Sequence, residues 1–161
     1  MASDSRGHAA AAYAWRSSIS GDLSASASFV TTALPVGNHV IALKVQCANG
    51  TWSAETTVQV KVRKRASLST PKTSGSASAR KGTTFTGTVN PHRSTTVKLQ
   101  VQKYSRGSYH TYKTYTLKSG SSGSWKYKVK LKKAKYRVRT TTAETSTYFS
   151  ATSSWHKVTV K

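Results

Sequence analysis

Trp125-Lys-Tyr-Lys-Val-Lys-Leu-Lys-Lys-Ala-Lys-Tyr-Arg-Val-Arg139 is the stretch that decides the fold. Apolar residues stand at Trp125, Tyr127, Val129 and Leu131, with Lys126, Lys128, Lys130 and Lys132 between and after them. Strict period two sends successive side chains to opposite faces of a strand, whereas a helix would scatter these lysines around its axis. After Lys133-Ala134-Lys135 the alternation resumes, with Tyr136 and Val138 on one face and Arg137 and Arg139 on the other. The pattern predicts two antiparallel strands joined by a tight basic turn, one face apolar and one cationic. Cations on such a face stand roughly 7 Å apart along a strand and about 5 Å apart across strands.

Valine, threonine, tyrosine and serine dominate the rest of the chain, and these residues suit a pleated surface. The Ala9–Ala12 run is too short to hold a helix alone, and residues 1–12 read as frayed. The fold class expected is all-β. The 161 residues suffice for one medium or two small domains. Charge divides them unevenly. Residues 1–65 carry seven basic side chains against Asp4, Asp22 and Glu55, and the remainder carries nineteen against Glu144 alone, within a net charge of +22. Such a field attracts polyanions and fades with salt.

Tyr13-Ala-Trp15, Ala27 to Val30, His39 to Gln46 and Thr57 to Val62 read as strands, with Gly21, Pro35-Val-Gly37 and Asn49-Gly50 as turns. Ile41, Leu43, Val45, Val58, Val60 and Val62 are the expected inward residues. Arg63 to Ser76 is basic, then rich in Ser, Thr, Pro and Gly, and reads as a boundary running into an edge strand. Beyond it, strands are expected over Thr83–Val89, Val97–Gln102, Tyr109–Leu117, the two halves of the opening stretch, Thr140–Phe149 and Trp155–Val160. Seven short strands at this spacing suggest a sandwich. Trp15, Trp52, Trp125 and Trp155 are expected between sheets.

The residues Tyr13-Ala-Trp15-Arg-Ser-Ser-Ile19, Leu34-Pro-Val-Gly37 through Val45, and Asn49-Gly-Thr-Trp52-Ser53 resemble the later strands of a PKD-like, immunoglobulin-type repeat of bacterial surface proteins. Ala48-Asn49 replaces the Asp-rich turn often found there, so no calcium site is implied. The second half, through Gly87-Thr-Val89, Val97-Lys-Leu99-Gln100, Gly123-Ser-Trp125 and Tyr136-Arg-Val-Arg139, resembles immunoglobulin-like modules of secreted, especially actinobacterial, proteins. The resemblance implies two immunoglobulin-like β-sandwich units, 1–64 and 65–161, the first without its initial strands. It also implies a secreted or cell-surface location, with the export signal outside this chain, since Met1 to His8 lacks an apolar core. No stretch approaches the roughly 18 apolar residues of a membrane span.

Catalysis finds few parts here. The four carboxylates are scattered, and His8, His39, His92, His110 and His156 stand apart with no metal-ligand spacing. Cys47 is the only cysteine, so no intrachain disulfide forms. Neither enzyme activity, metal nor cofactor is expected. The lysine row has two readings. One is a solvated face that keeps a β-protein soluble and blunts edge pairing. The other is a platform for an anionic polysaccharide or wall polymer, in which the anion relieves repulsion between opposed cations. Lys126, Lys128, Lys130, Lys132, Arg137 and Arg139 are its candidate contacts. Tyr112, opposite in parity to Tyr109 and Tyr115, joins them as an exposed stacking ring beside Lys113. Nucleic acid is expected to bind only non-specifically. The alternative to a binding module is a homo-oligomer or filament whose strands complete one another.

Overall fold

The computed structural model describes residues 10–161, where most of the alternating stretches become strand. The protein is all-β, and its chain divides into two units, Met1–Lys64 and Arg65–Lys161. Among the described residues no helix is long and apolar enough to cross a membrane.

The first unit is one antiparallel sheet in the order β2-β1-β3-β4, formed by β1 (Ala10–Ser17), β2 (Gly21–Ser24), β3 (Gly37–Cys47) and β4 (Thr56–Val62). Ala10 to Ala12, read as frayed from the sequence, belong to β1 and pair with Gln46 and Cys47, so cross-strand bonding overrides their weak strand propensity. Residues expected before Ala10 to be frayed lie outside those described. The register puts Trp15, Leu43 and Thr56 in one row and Ser17, Ile41 and Val58 in the next, so one face is apolar. Among the described residues this unit has no second sheet. Its apolar face is covered in part by the segment 25–36, where Phe29 meets the Trp15 ring edge-on at 5.5 Å and Trp15 Nε1 donates to Ser26 O. The strand expected over Ala27–Val30 is absent, and Val30 is fully in solvent. Val58, expected inside, is 57% exposed, because a single sheet buries only what a loop can reach.

The second unit is a two-sheet sandwich. Its elements are β5 (Ser67–Leu68), β6 (Lys72–Ser78), β7 (Gly82–Asn90), β8 (Thr96–Ser105), β9 (Ser108–Lys118), β10 (Ser124–Val129), β11 (Ala134–Thr142), β12 (Ala151–Thr152) and β13 (His156–Val160). In sheet I, β10 lies on one side of β7, and both β5 and β6 lie on the other. In sheet II, the order is β12-β11-β8-β9, with β13 also on β11. Within the boundary expected to run into an edge strand, Ser67–Leu68 form β5 and residues 72–76 begin β6. The chain after β6 changes sheets, since Ala79 N donates to Lys161 O and Lys161 N to Ala77 O.

Inward residues of both sheets share one core: Phe85, Val89, Trp125 and Val129 from sheet I, and Val97, Leu99, Val101, Leu117, Tyr136, Val138 and Val160 from sheet II. Trp125 is the sandwich tryptophan that the sequence led us to expect. It lies directly over Gly87, its cross-strand partner, where an added Cβ would stand 2.4 Å from Trp125 Cζ2. Only glycine leaves the indole that space. The β8–β9 hairpin closes in a two-residue turn, Arg106-Gly107, both at positive φ (51° and 81°), which suits the twist of the flanking strands.

The opening stretch departs from its sequence reading in one respect. Burial alternates as expected from Trp125 to Leu131, but β10 pairs with β7, and β11 pairs with β8 and β13. The two strands are not a hairpin. Residues 130–133 carry the chain from sheet I to sheet II. Thr140 to Phe149 is likewise no single strand: Thr140–Thr142 end β11, and Tyr148 and Phe149 lie in the following loop, where Arg93 stacks on Tyr148 at 3.8 Å.

Candidate functional site

Because β10 and β11 belong to opposed sheets, the seven candidate residues fall in four places. Lys126 and Lys128 emerge from the outer face of sheet I, beside Thr86 and Thr84. Lys130 and Lys132 are exposed on the crossover at one end of the sandwich. Arg137 and Arg139 emerge from the outer face of sheet II. A single cationic plane holding all six does not exist.

Tyr112 is exposed as expected, at 45%, and a bulge sets its direction. The β8–β9 register shifts between Val101 and Gln102, which face Lys113 and Thr111, so Tyr112 is the extra residue. A bulge turns two consecutive side chains to similar directions. Tyr112 therefore meets the buried Tyr136 edge-on at 5.8 Å instead of joining the cationic face. Tyr115 packs on Tyr127 nearby, with ring centroids 5.3 Å apart. Burial pushes the Tyr115 and Tyr136 hydroxyls above the usual phenol range, and neighbouring tyrosines add to it: Tyr112 then Tyr127 for Tyr115, and Tyr112 then Tyr115 for Tyr136. Tyr136 OH donates to Lys132 O at 3.0 Å.

The outer face of sheet II is built from alternate residues of four strands. Cross-strand rows place Lys157 beside Arg137 beside Gln102, and Arg139 beside Gln100. Arg137 Nε donates to Gln102 Oε1 at 2.7 Å, and Arg139 Nε donates to Gln100 Oε1 at 2.8 Å. Both guanidinium groups also lie against rings. Arg137 is 4.5 Å from the Tyr109 centroid and 4.4 Å from that of Trp155, and Arg139 is 4.5 Å from Trp155. Tyr104 meets Tyr109 edge-on at 5.1 Å and extends the aromatic row. Trp155, expected in the core, is thus half-buried on this outer face.

Among the described residues the Nη atoms of Arg137 and Arg139 have no hydrogen-bond partner. The result is two cations stacked on rings, with Nε occupied and the Nη edge unpartnered among the described residues. A guanidinium in that state matches a carboxylate, sulfate or phosphate with two parallel donors. Lys98, Lys135 and Lys157 share the face by strand parity, and β8, β9, β11 and β13 contain no Asp or Glu. Arg137 and Lys157 are directly opposed across strands, an arrangement that an anion relieves.

Sequence reasoning singled out Arg137 and Arg139 and missed Trp155, Tyr109, Gln100 and Gln102. A signal was present. Trp155 is opposite in parity to Val158 and Val160, and Gln100 and Gln102 are opposite in parity to Leu99 and Val101.

One buried polar pair resembles catalytic machinery and is not. Ser17 Oγ is 2.7 Å from His39 Nδ1, and His39 Nε2 is 2.8 Å from Pro35 O. A carbonyl only accepts, so Nε2 carries the proton and Nδ1 accepts from Ser17. The same hydroxyl oxygen accepts from Ile19 N and Ser20 N. Both side chains are buried, and the hydroxyl is committed to shaping the turn after β1. Among the described residues no group of three or more His, Cys, Asp or Glu side chains is placed to hold a metal ion.

No protein-family model matches the chain, and no curated protein matches its sequence. Among solved structures it is similar to a tetra-tandem repeat in the extending region of a large adhesion protein, at 17% identity and a TM-score of 0.43. That similarity covers 91% of this chain, which spans 41% of the length of the repeat structure.

Proposed function

We propose that this chain is a non-enzymatic, secreted or cell-surface module that binds anionic polymers, wall polymer or acidic polysaccharide, through the outer face of sheet II. The surface location follows from the resemblance of both halves to immunoglobulin-like repeats of bacterial surface proteins. One observation carries the binding role: Arg137 and Arg139 are held by Gln102, Gln100, Tyr109 and Trp155 with their Nη edges unpartnered among the described residues. Fold stability gains from such fixation, and solubility alone does not. A ligand site does, because the ordering cost is met before the anion arrives. Nucleic acid binds in this reading through net charge alone and is released by moderate salt.

The test is affinity for a short poly(glycerol phosphate) at physiological salt. Arg137→Ala/Arg139→Ala should weaken it at least tenfold and reduce the salt slope by roughly two. Lys44→Ser/Lys61→Ser removes equal charge from the exposed surface of the first unit and should change affinity less than twofold. Equal losses from the two variants overturn the reading.

A second reading, assembly by strand complementation, is favoured by the apolar face of the first unit, where Val58 is exposed beside Ile41 in a sheet with no second layer among the described residues. Light scattering across a hundredfold concentration range tests it. A mass that rises with concentration supports assembly, and a constant monomer mass removes it.

A further inference from the structure

Of the lysines that the fold takes away from Arg137 and Arg139, Lys126 and Lys128 share a face with Lys72. On sheet I, Thr86 pairs with Lys126 on one side and with Lys72 on the other. The two ammonium-bearing residues therefore bracket a threonine and stand two strand spacings apart, about 10 Å. A shallow depression lies there, lined by Lys72, Thr86, Thr88, Ser124 and Lys126, with the backbone of Gly87 in its floor. Lys128 pairs with Thr84 and extends the same face. No Asp or Glu occurs in β6, β7 or β10. Lysine charge with hydroxyl donors at its side is a second way of meeting a phosphate or sulfate, distinct from the stacked arginines of sheet II.

Geometry sets the relation between these two faces. Sheets I and II turn their apolar sides toward one core, which contains Phe85 and Trp125 from one and Leu99 and Tyr136 from the other. Their cationic sides therefore point in opposite directions, across a sandwich whose sheets are about 10 Å apart before outer side chains are counted. One extended polymer strand lying on sheet II does not reach sheet I without rounding an edge.

We propose that the second unit is bivalent and bridges two anionic polymer strands, one on each sheet. This rests on the polyanion reading of sheet II and adds to it a second site and a cross-linking role. Two sites on opposed faces also tie the protein to a network by avidity, which a single face does not provide.

The experiment uses the full chain at physiological salt with a short poly(glycerol phosphate) and then a long one. The short oligomer should bind at a stoichiometry of about two per chain, and the long polymer should form clusters seen as at least a tenfold rise in scattering over protein and polymer alone. Lys72→Ser/Lys126→Ser/Lys128→Ser, all exposed positions, should lower the stoichiometry to about one and abolish clustering while the sheet II site remains. Arg137→Ala/Arg139→Ala should likewise leave about one site and no clusters. Lys44→Ser/Lys61→Ser, in the first unit, should change neither. A stoichiometry of one in the unaltered chain, lost with the arginines, overturns bridging and leaves the sheet II reading intact. Binding that ignores the arginines, or falls equally with Lys44 and Lys61, overturns both. Scattering of the protein without polymer identifies clustering by self-association, which also counts against bridging.

Discussion

Trp155→Ala separates a shaped site from mere charge, because it alters neither net charge nor the number of cations on sheet II. The Trp155 ring lies 4.4 Å from the Arg137 guanidinium and 4.5 Å from that of Arg139. Without it, Arg139 keeps only its Nε bond to Gln100, and Arg137 keeps Gln102 and Tyr109. Both side chains regain rotamers that binding must then remove. Immobilising a long side chain costs about 0.5–1.5 kcal/mol, so two arginines lose about 1–3 kcal/mol of pre-organisation. That is roughly a 5- to 150-fold rise in Kd for an oligoanion. The slope of log K against log salt should stay unchanged, since it counts neutralised charges and none has been removed.

The same substitution removes two cation–π contacts, each about 0.5–1 kcal/mol at a partly exposed site. For a unit spanning Arg65–Lys161 this lowers Tm by roughly 4–16 °C, so titrations belong well below the transition, with near-ultraviolet circular dichroism checking the fold. Trp155→Phe, which restores a ring, should recover most of the affinity. A Kd for Trp155→Ala within twofold of the original, in a folded protein, refutes the claim that stacking prepares the arginines. A Kd that rises together with a smaller salt slope points instead to a general loss of cationic contacts.

Gly87→Ala should cost about 1–3 kcal/mol by overpacking, since its Cβ meets Trp125 Cζ2 at 2.4 Å. Combining it with Trp125→Phe should cost less than the sum of the single changes, read as a positive coupling in chemical denaturation, and strict additivity counts against the contact. Alkaline pH should destabilise the second unit through Tyr115 and Tyr136. Their folded pKa values are raised above 10.0 by burial, so from about pH 10 upward the unfolded chain gives up these protons first and stability falls until the folded values are passed. Tyrosinate absorbance should show a late phase accompanying unfolding, and Tyr115→Phe/Tyr136→Phe should remove it; a single early phase contradicts the burial.

Much of the sandwich was legible because burial leaves a period in the sequence. Val97, Leu99 and Val101 alternate with Lys98, Gln100 and Gln102, and that alternation settles strand and face together. The exposure of Tyr112 was legible, and its direction was not. One extra residue in β9 reverses the parity of everything before it, and neither Thr111 nor Lys113 marks the place. Trp155 was misplaced for a chemical reason. A tryptophan gains by leaving water wherever a partner covers it, and two arginines cover it as apolar side chains would. In the first unit the described residues form one sheet, and Val58 and Val60 alternate alike whether or not a second layer meets them.

The crossover at residues 130–133 shows what periodicity is blind to. In a hairpin and in a sheet-to-sheet crossover alike, the apolar residues of both strands face the core, so Trp125, Val129, Tyr136 and Val138 have the same pattern in either. Four connecting residues fit either connection. What selects the crossover lies elsewhere in the chain. Gly87 leaves a space on β7 that the Trp125 indole fills, and Val101 and Leu99 on β8 face Val138 and Thr140. Had β10 and β11 paired, Lys126, Lys128, Arg137 and Arg139 would share one plane, and repulsion across about 5 Å would weigh on the fold itself. Splitting them between sheets relieves that repulsion through the thickness of the core. In the bridging proposal the same four charges then serve two faces, and the connection sets how many polymer strands one unit holds rather than how tightly it holds one.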